Sequence, residues 1–280
     1  MSVFYKQKRF ILTWVLFSSL AIAVYRIYII TNNIEIDSVE SQNYYLFDNA
    51  ETYIFALLTA VIIAAFILAA VFLSRRLRNC LVFGEPSIIF TSSLSGFLLL
   101  GAVFYYIFYY TEDTNGLSFL DMAIIISAVI SAIYLLLNAS GKTECNGKAA
   151  AWFSLAPIAF FAFRLLNDFI RQSTTHNASS TNYLLLSLIA FLLFFLAESK
   201  FRIGTGSITL YIVFGFLSIL LSLIYSLPTL ILAAFWVFPT NYTMLYSAID
   251  LTLVMYIAAR VCQLNCIETI QTNPAPSIQS

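Results

Sequence analysis

Residues 10–30 read FILTWVLFSSLAIAVYRIYII, and residues 149–170 read AAAWFSLAPIAFFAFRLLNDFI. Each stretch is predominantly apolar over roughly the 20 residues that a helix needs to cross the hydrocarbon core of a bilayer. Each also carries a tryptophan followed twelve residues later by an arginine, Trp14 with Arg26 and Trp152 with Arg164. The two stretches predict membrane-spanning helices that each bury a charged side chain, and their likeness suggests an internal repeat.

The composition of the whole chain agrees with a membrane protein. Hydrophobic residues make up 61% of the 280 residues and charged residues only 10%, far from the balance of a soluble domain. Eight membrane spans are predicted, at Phe10–Ile30, Tyr53–Leu73, Ser87–Tyr109, Ser118–Asn138, Ala149–Ile170, Tyr183–Ala197, Ser207–Tyr225 and Thr243–Cys262. Hydrocarbon offers no partner to a free backbone N–H or C=O group, so each span is predicted to be an α-helix. We therefore predict an all-α integral membrane protein, an eight-helix transmembrane bundle that forms a single domain over residues 1–280.

The basic residues lie in alternate connections between the predicted helices. They precede the first helix and follow the second, fourth and sixth, at Lys6, Lys8, Arg9, Arg75, Arg76, Arg78, Lys142, Lys148, Lys200 and Arg202. The connections between these are acidic, as in residues 35–51. Because Lys and Arg accumulate on the cytoplasmic side, we expect a cell (cytoplasmic) membrane protein with a cytoplasmic N-terminus and C-terminus. Residues 267–280 are then expected to form a flexible cytoplasmic tail.

The apolar segment Leu227–Thr240 does not fit the pattern of eight spans. It is bounded by Pro228 and Pro239 and contains Trp236. It is too short to cross the membrane comfortably, and tryptophan favours the membrane–water interface. We predict an external re-entrant or interfacial segment at residues 227–240.

The likeness of the first and fifth spans continues along the chain. Asp121 near the start of the fourth span matches Asp250 early in the eighth. The possible repeat halves are residues 1–141 and 142–266. Four helices in each half is an even number, so both halves would enter the membrane in the same direction, as parallel repeats do. The alternative is a chance similarity between apolar sequences.

A layer of polar side chains is predicted near the outer ends of the helices. At a rise of about 1.5 Å per residue, both arginines of the repeat lie past the middle of the membrane, and both aspartates lie within about two turns of the outer ends. Two further residues share a face of the fifth helix with its arginine. The members of this layer are Arg26, Asp121, Arg164, Asn167, Asp168 and Asp250.

Two interpretations of this layer remain open. The aspartates can pair with the arginines and lock the helices together, for example Arg26 with Asp121 and Arg164 with Asp250. Alternatively, the layer lines an outward-facing pocket in which the arginines hold a small anionic ligand or an ion, because buried charges in membrane helices usually face a bundle interior or a wet cavity. Pro157 is predicted to kink the fifth helix below the layer.

Several function classes are excluded or made improbable by composition. Lys plus Arg equal Asp plus Glu at 14 each, so a basic nucleic-acid surface is absent. The single histidine, His176, lies in a predicted external loop, which argues against a haem ligand, a zinc site or a Ser–His–Asp triad inside the membrane. Glu198 is predicted to be solvated at a cytoplasmic helix end. We therefore predict no catalytic residue, no metal, no cofactor and no enzyme activity.

Three features stand out in the second half of the chain: Phe163-Arg164-Leu165-Leu166, the Leu227-Pro228 turn and Asp250 in the final span. In these features the chain resembles a group of uncharacterised multi-pass membrane proteins of anaerobic Clostridia. The resemblance implies a bacterial cytoplasmic membrane, but it implies no particular chemistry and supplies no site residues.

The sequence leaves two functions open. The first is a small-molecule or ion transporter or permease-like protein with an outward-facing polar pocket, which the parallel repeat favours. The alternative is a non-catalytic membrane sensor, accessory or immunity-type subunit, in which the polar layer is purely structural and the partner is another membrane protein. In both cases the lipid bilayer surrounds the protein.

Overall fold

Eight α-helices make up the part of the chain that the computed structural model describes, which is residues 3–33, 50–75, 77, 85–113, 118–140, 152–172, 179–235 and 241–264. In chain order they are α1 Val3–Asn33, α2 Ala50–Ser74, α3 Pro86–Asp113, α4 Phe119–Ala139, α5 Ala156–Gln172, α6 Ser179–Ile203, α7 Ile208–Ala234 and α8 Asn241–Cys262. The predicted all-α fold with eight helices is therefore confirmed.

Seven of the eight helices are long and apolar enough to cross a membrane. Large apolar side chains are exposed on the outer surface, among them Phe10, Phe17, Leu57, Leu68, Phe97 and Phe108. Polar side chains such as Ser19, Ser92 and Ser131 are buried instead. A surface of this kind suits lipid rather than water, and the architecture is that of a multi-pass integral membrane protein.

The one helix outside these seven, α5, has 17 residues and is shorter and more polar than the others. Arg164, Asn167 and Asp168 are buried on one face, while Leu166 and Phe169 are about half exposed on the other. This is the reverse of a helix on a soluble protein, where the apolar stripe faces inward. The helix therefore holds its charges inside the bundle and presents its apolar side outward.

Six helices close into a ring. Each helix from α3 to α8 packs against the next one along the chain, and α8 returns to pack against α3. The helices α1 and α2 lie outside the ring, and both pack against α7. We call the end of the bundle at which α1 begins and α8 ends the proximal end, and the opposite end the distal end. At the proximal end the Lys8 ammonium donates hydrogen bonds to the backbone carbonyls of Cys262 and Leu264.

Aromatic and small residues fill the contacts within the ring. The Phe161 ring of α5 stacks on Phe191 and Phe195 of α6, with centroids 5.0 and 5.7 Å apart. A Cβ atom added to Gly96 of α3 would lie 2.9 Å from the Leu136 side chain of α4, so glycine allows these two helices to approach closely.

Two predictions about prolines are corrected by the structure. Pro157 does not kink a helix, because α5 begins at Ala156 rather than Ala149 and the proline occupies its first turn, where no backbone N–H is needed. The helix α7 does not end before Pro228 but continues through it to Ala234. Residues 227–234 are thus the last turns of α7 rather than a separate re-entrant or interfacial segment, and residues 236–240 lie outside the described residues.

The internal repeat stays a prediction. Counterpart helices of the two halves have different neighbours, since α1 packs against α7 whereas α5 packs against α4 and α6. The two tryptophans also differ, because Trp14 lies within α1 whereas Trp152 precedes α5 and is separated from it by a turn. The predicted tail at residues 267–280 lies outside the described residues.

Candidate functional site

Arg164 of α5 and Asp250 of α8 form a bidentate ion pair inside the distal half of the bundle. The Nη1–Oδ1 distance is 2.7 Å and the Nη2–Oδ2 distance is 2.9 Å. The Asp168 carboxylate lies 3.8 Å from Arg164 Nε, and the Tyr246 ring lies 4.2 Å from the guanidinium carbon. We call these four residues the distal network.

The distal network follows from helical periodicity on two helices. Arg164 and Asp168 lie four residues apart on α5, and Tyr246 and Asp250 lie four apart on α8, so each pair shares a helix face. The helices α5 and α8 stand on opposite sides of the ring, with two helices between them in either direction. The ion pair therefore crosses the interior of the ring and closes it at this level.

Arg26 has a different partner from the one expected. Its Nη1 atom donates a hydrogen bond of 2.8 Å to the backbone carbonyl of Ile224 on α7, and its guanidinium lies 4.6 Å from the centre of the Tyr183 ring. The suggested pair with Asp121 is absent. The physical reason is Pro228, which lacks the N–H that would otherwise engage the Ile224 carbonyl.

Asp121 takes part in a helix cap at the start of α4. Its Oδ2 atom accepts from the Ser118 backbone N–H at 3.1 Å, while its own N–H donates to Ser118 Oγ. The Tyr106 hydroxyl donates to Asp121 Oδ1 at 2.6 Å. This is a capping box, which satisfies two backbone donors at the first turn of α4.

A second charged cluster lies at the proximal end, where no site was predicted. Glu198 Oε1 on α6 accepts from the Tyr256 hydroxyl at 2.8 Å and lies 3.2 Å from Arg260 Nη2, both on α8. Arg202 of α6 donates to the Asn138 side chain of α4 at 2.6 Å. We call Asn138, Glu198, Arg202, Tyr256 and Arg260 the proximal network.

The proximal network corrects the expectation that Glu198 is solvated. Glu198 is 0% exposed and Arg260 is 2% exposed. The network joins α4, α6 and α8, which are alternate helices of the ring, so it also crosses the ring interior. The available sequence signal is the spacing of four residues, from Glu198 to Arg202 and from Tyr256 to Arg260, which places each pair on one helix face.

A small cavity lies within the ring near the distal network. Its volume is about 20 Å³, and it is lined by α3, α4, α5 and α8, with mainly apolar side chains and the rings of Tyr106 and Tyr246. This space suffices for about one water molecule. None of the six predicted site residues lines this cavity.

The structure brings together three of the six residues of the predicted layer. Arg164, Asp168 and Asp250 come together, while Arg26 and Asp121 each contact other partners. Asn167 is buried on the same helix as Arg164. Within the described part of the chain, no group of three or more His, Cys, Asp or Glu side chains is arranged to hold a metal ion.

No protein-family model, curated protein or solved structure matches the chain.

Proposed function

We propose that the protein is a non-enzymatic transporter for small solutes and that the interior of the six-helix ring is its pathway. The observation that carries this proposal is that both networks join helices that are not neighbours in the ring. Each network therefore crosses the ring interior, one in the distal half and the other at the proximal end. In the proposed mechanism the two networks open in turn, so that the interior faces one side of the membrane at a time.

Charges buried in a membrane helix bundle are costly to insert and commonly mark a pathway or a conformational switch. An ion pair is suited to a gate, because its two partners separate only when the helices that carry them move apart. The helix α8 contributes Asp250 to the distal network and Arg260 to the proximal one, ten residues or about 15 Å apart along the axis. A tilt of α8 can therefore open one network while the other stays closed.

The proposal includes an orientation. The distribution of Lys and Arg among the connections places the proximal end in the cytoplasm and the distal end outside the cell membrane. The distal network is then the outer gate, and the proximal network is the inner gate.

Cysteine accessibility tests the two-gate mechanism without knowledge of the substrate. Leu253 is buried on the face of α8 between Asp250 and Arg260, so Leu253→Cys serves as the reporter in a protein whose four native cysteines are replaced by serine. Met255→Cys on the same helix is about half exposed and provides a matched lipid-facing control. The measurement is the rate of labelling by a membrane-impermeant maleimide in vesicles of known orientation.

We expect the double variant R164Q/D250N, which removes the bidentate ion pair of the distal network, to speed labelling from the distal face. A shift of about 1.4 kcal/mol toward the open state gives a tenfold change in its population. The variant E198Q should speed labelling from the proximal face, and the control position should not respond in either variant. If folded variants leave the reporter rate unchanged on both faces, the ring interior is not a gated pathway.

A second candidate function is favoured by the cavity, which is small and mainly apolar. In this alternative the protein is a non-catalytic membrane subunit that binds another membrane protein, and both networks serve only to hold the helices. Unchanged labelling in the experiment above would support this alternative, as would a partner that co-purifies in stoichiometric amount.

A further inference from the structure

Pro228 interrupts the backbone hydrogen bonding of α7 six residues before the helix ends at Ala234. A proline has no backbone N–H, and its ring crowds the carbonyl of the residue four positions earlier. In α7 that residue is Ile224, whose carbonyl therefore has no helical donor. The helix nevertheless continues to Ala234.

A side chain of another helix supplies the missing donor at this interruption. The Ile224 carbonyl receives a hydrogen bond from Arg26 Nη1 of α1 at 2.8 Å. The Thr229 hydroxyl donates to the next carbonyl, that of Tyr225, within α7 itself. Arg26 is 3% exposed and Ile224 is 0% exposed, so this bond is shielded from water.

The interruption lies at the level of the distal network. Tyr225, the residue after Ile224, is close enough to interact electrostatically with Arg26 as well as with Arg164 and Asp250. The helix α7 also packs directly against α8, which carries Asp250. A movement of the distal end of α7 would therefore reach the helix that holds the distal ion pair.

We infer that Pro228 forms a hinge in α7 and that Arg26 is the latch that holds this hinge closed from α1. With the latch engaged, the Ile224 carbonyl is satisfied and the segment beyond Pro228 is fixed against α1. With the latch released, the segment swings on a helix that lacks one backbone hydrogen bond. This inference goes beyond the proposed function, because it holds whether or not the ring carries a solute.

A double-mutant cycle tests the latch. Arg26→Met removes the donor, and Pro228→Ala supplies an N–H that can engage the Ile224 carbonyl from within α7. The two changes should therefore be coupled. We expect R26M to lower the melting temperature of the purified protein by about 5 °C more in the native background than in the P228A background. The difference is that expected from the loss of one buried hydrogen bond to a charged donor.

Pro157→Ala provides the matched control, since Pro157 lies in the first turn of α5 and frees no such carbonyl. The effects of R26M and P157A should add. Equal losses from R26M with and without P228A would overturn the latch.

Spin labels give a second measurement that does not depend on stability. With labels at the exposed Tyr28 on α1 and Phe235 after α7, the distance distribution should broaden in R26M and recover in R26M/P228A. A distribution that stays unchanged in folded R26M would equally refute the hinge. Neither result depends on cysteine accessibility inside the ring, so the latch and the proposed function can fail separately.

Discussion

Replacing Asp250 with asparagine should destabilise the protein mainly by leaving Arg164 without its bidentate partner. At an effective dielectric constant of about 20, two unit charges about 4 Å apart attract by about 4 kcal/mol. Breaking a buried pair by removing one partner typically costs about 3–5 kcal/mol. Because the Asp168 carboxylate remains 3.8 Å from Arg164 Nε, we expect the lower end of this range, about 3 kcal/mol.

The assay is the thermal unfolding of purified protein in lipid nanodiscs. A loss of about 3 kcal/mol corresponds to a fall in melting temperature of roughly 6–12 °C for a protein of this size. The double variant R164Q/D250N should recover part of the loss, since it removes the uncompensated guanidinium, although Asp168 then loses its contact with Arg164. Asp168→Asn is a graded control, because its contact with Arg164 is longer and not bidentate. A single D250N variant as stable as the native protein would refute the assignment of Asp250 as the main partner of Arg164.

Two further predictions concern local structure. Gly96→Val should destabilise the contact between α3 and α4 by about 1–3 kcal/mol, because its Cβ would lie 2.9 Å from the Leu136 side chain. The control is Gly101→Val, whose Cβ meets nothing within 4 Å and which should have little effect in the same unfolding measurement. Ser118→Ala should cost about 1 kcal/mol through loss of the cap on α4, and hydrogen exchange at the Asp121 amide should accelerate. Slow, unchanged exchange there would contradict the role of the cap.

The sequence predicted the helices well because their signal is local. The length of an apolar stretch is set by the thickness of the bilayer, so seven of the eight predicted spans fall on observed helices, although the ends of several helices differ from the predicted ones. The fifth span differed because the apolar run before Pro157 is interrupted only by Ser154, and the proline alone indicates where the regular helix begins. Pro228 led to the opposite error, because α7 was predicted to end before it. A membrane helix can continue through a proline when other groups satisfy the freed carbonyl.

The partners of the charged residues were harder to predict, because they depend on which helices meet. Arg26 and Asp121 have complementary charges at similar depth, which made their pairing reasonable. Their helices do not pack together, and each residue instead satisfies a local backbone requirement, at a proline in one case and at a helix start in the other. Glu198 was assigned to solvent because it precedes two basic residues, Lys200 and Arg202. Its burial arises from Arg260, which follows it by more than sixty positions in the sequence.

The two networks together explain how α8 keeps one position along the membrane normal. Apolar side chains of neighbouring membrane helices gain little by contacting one another rather than lipid, so apolar packing alone only weakly fixes how far a helix slides. The helix α8 carries an acid in its distal half and a base in its proximal half, and the partners on α5 and α6 have the opposite signs. A slide of one helical turn, about 5.4 Å, would separate Asp250 from Arg164 and Arg260 from Glu198 at the same time. Sliding therefore breaks both ion pairs, whereas tilting opens one end at a time, and this difference favours tilting as the motion available to α8.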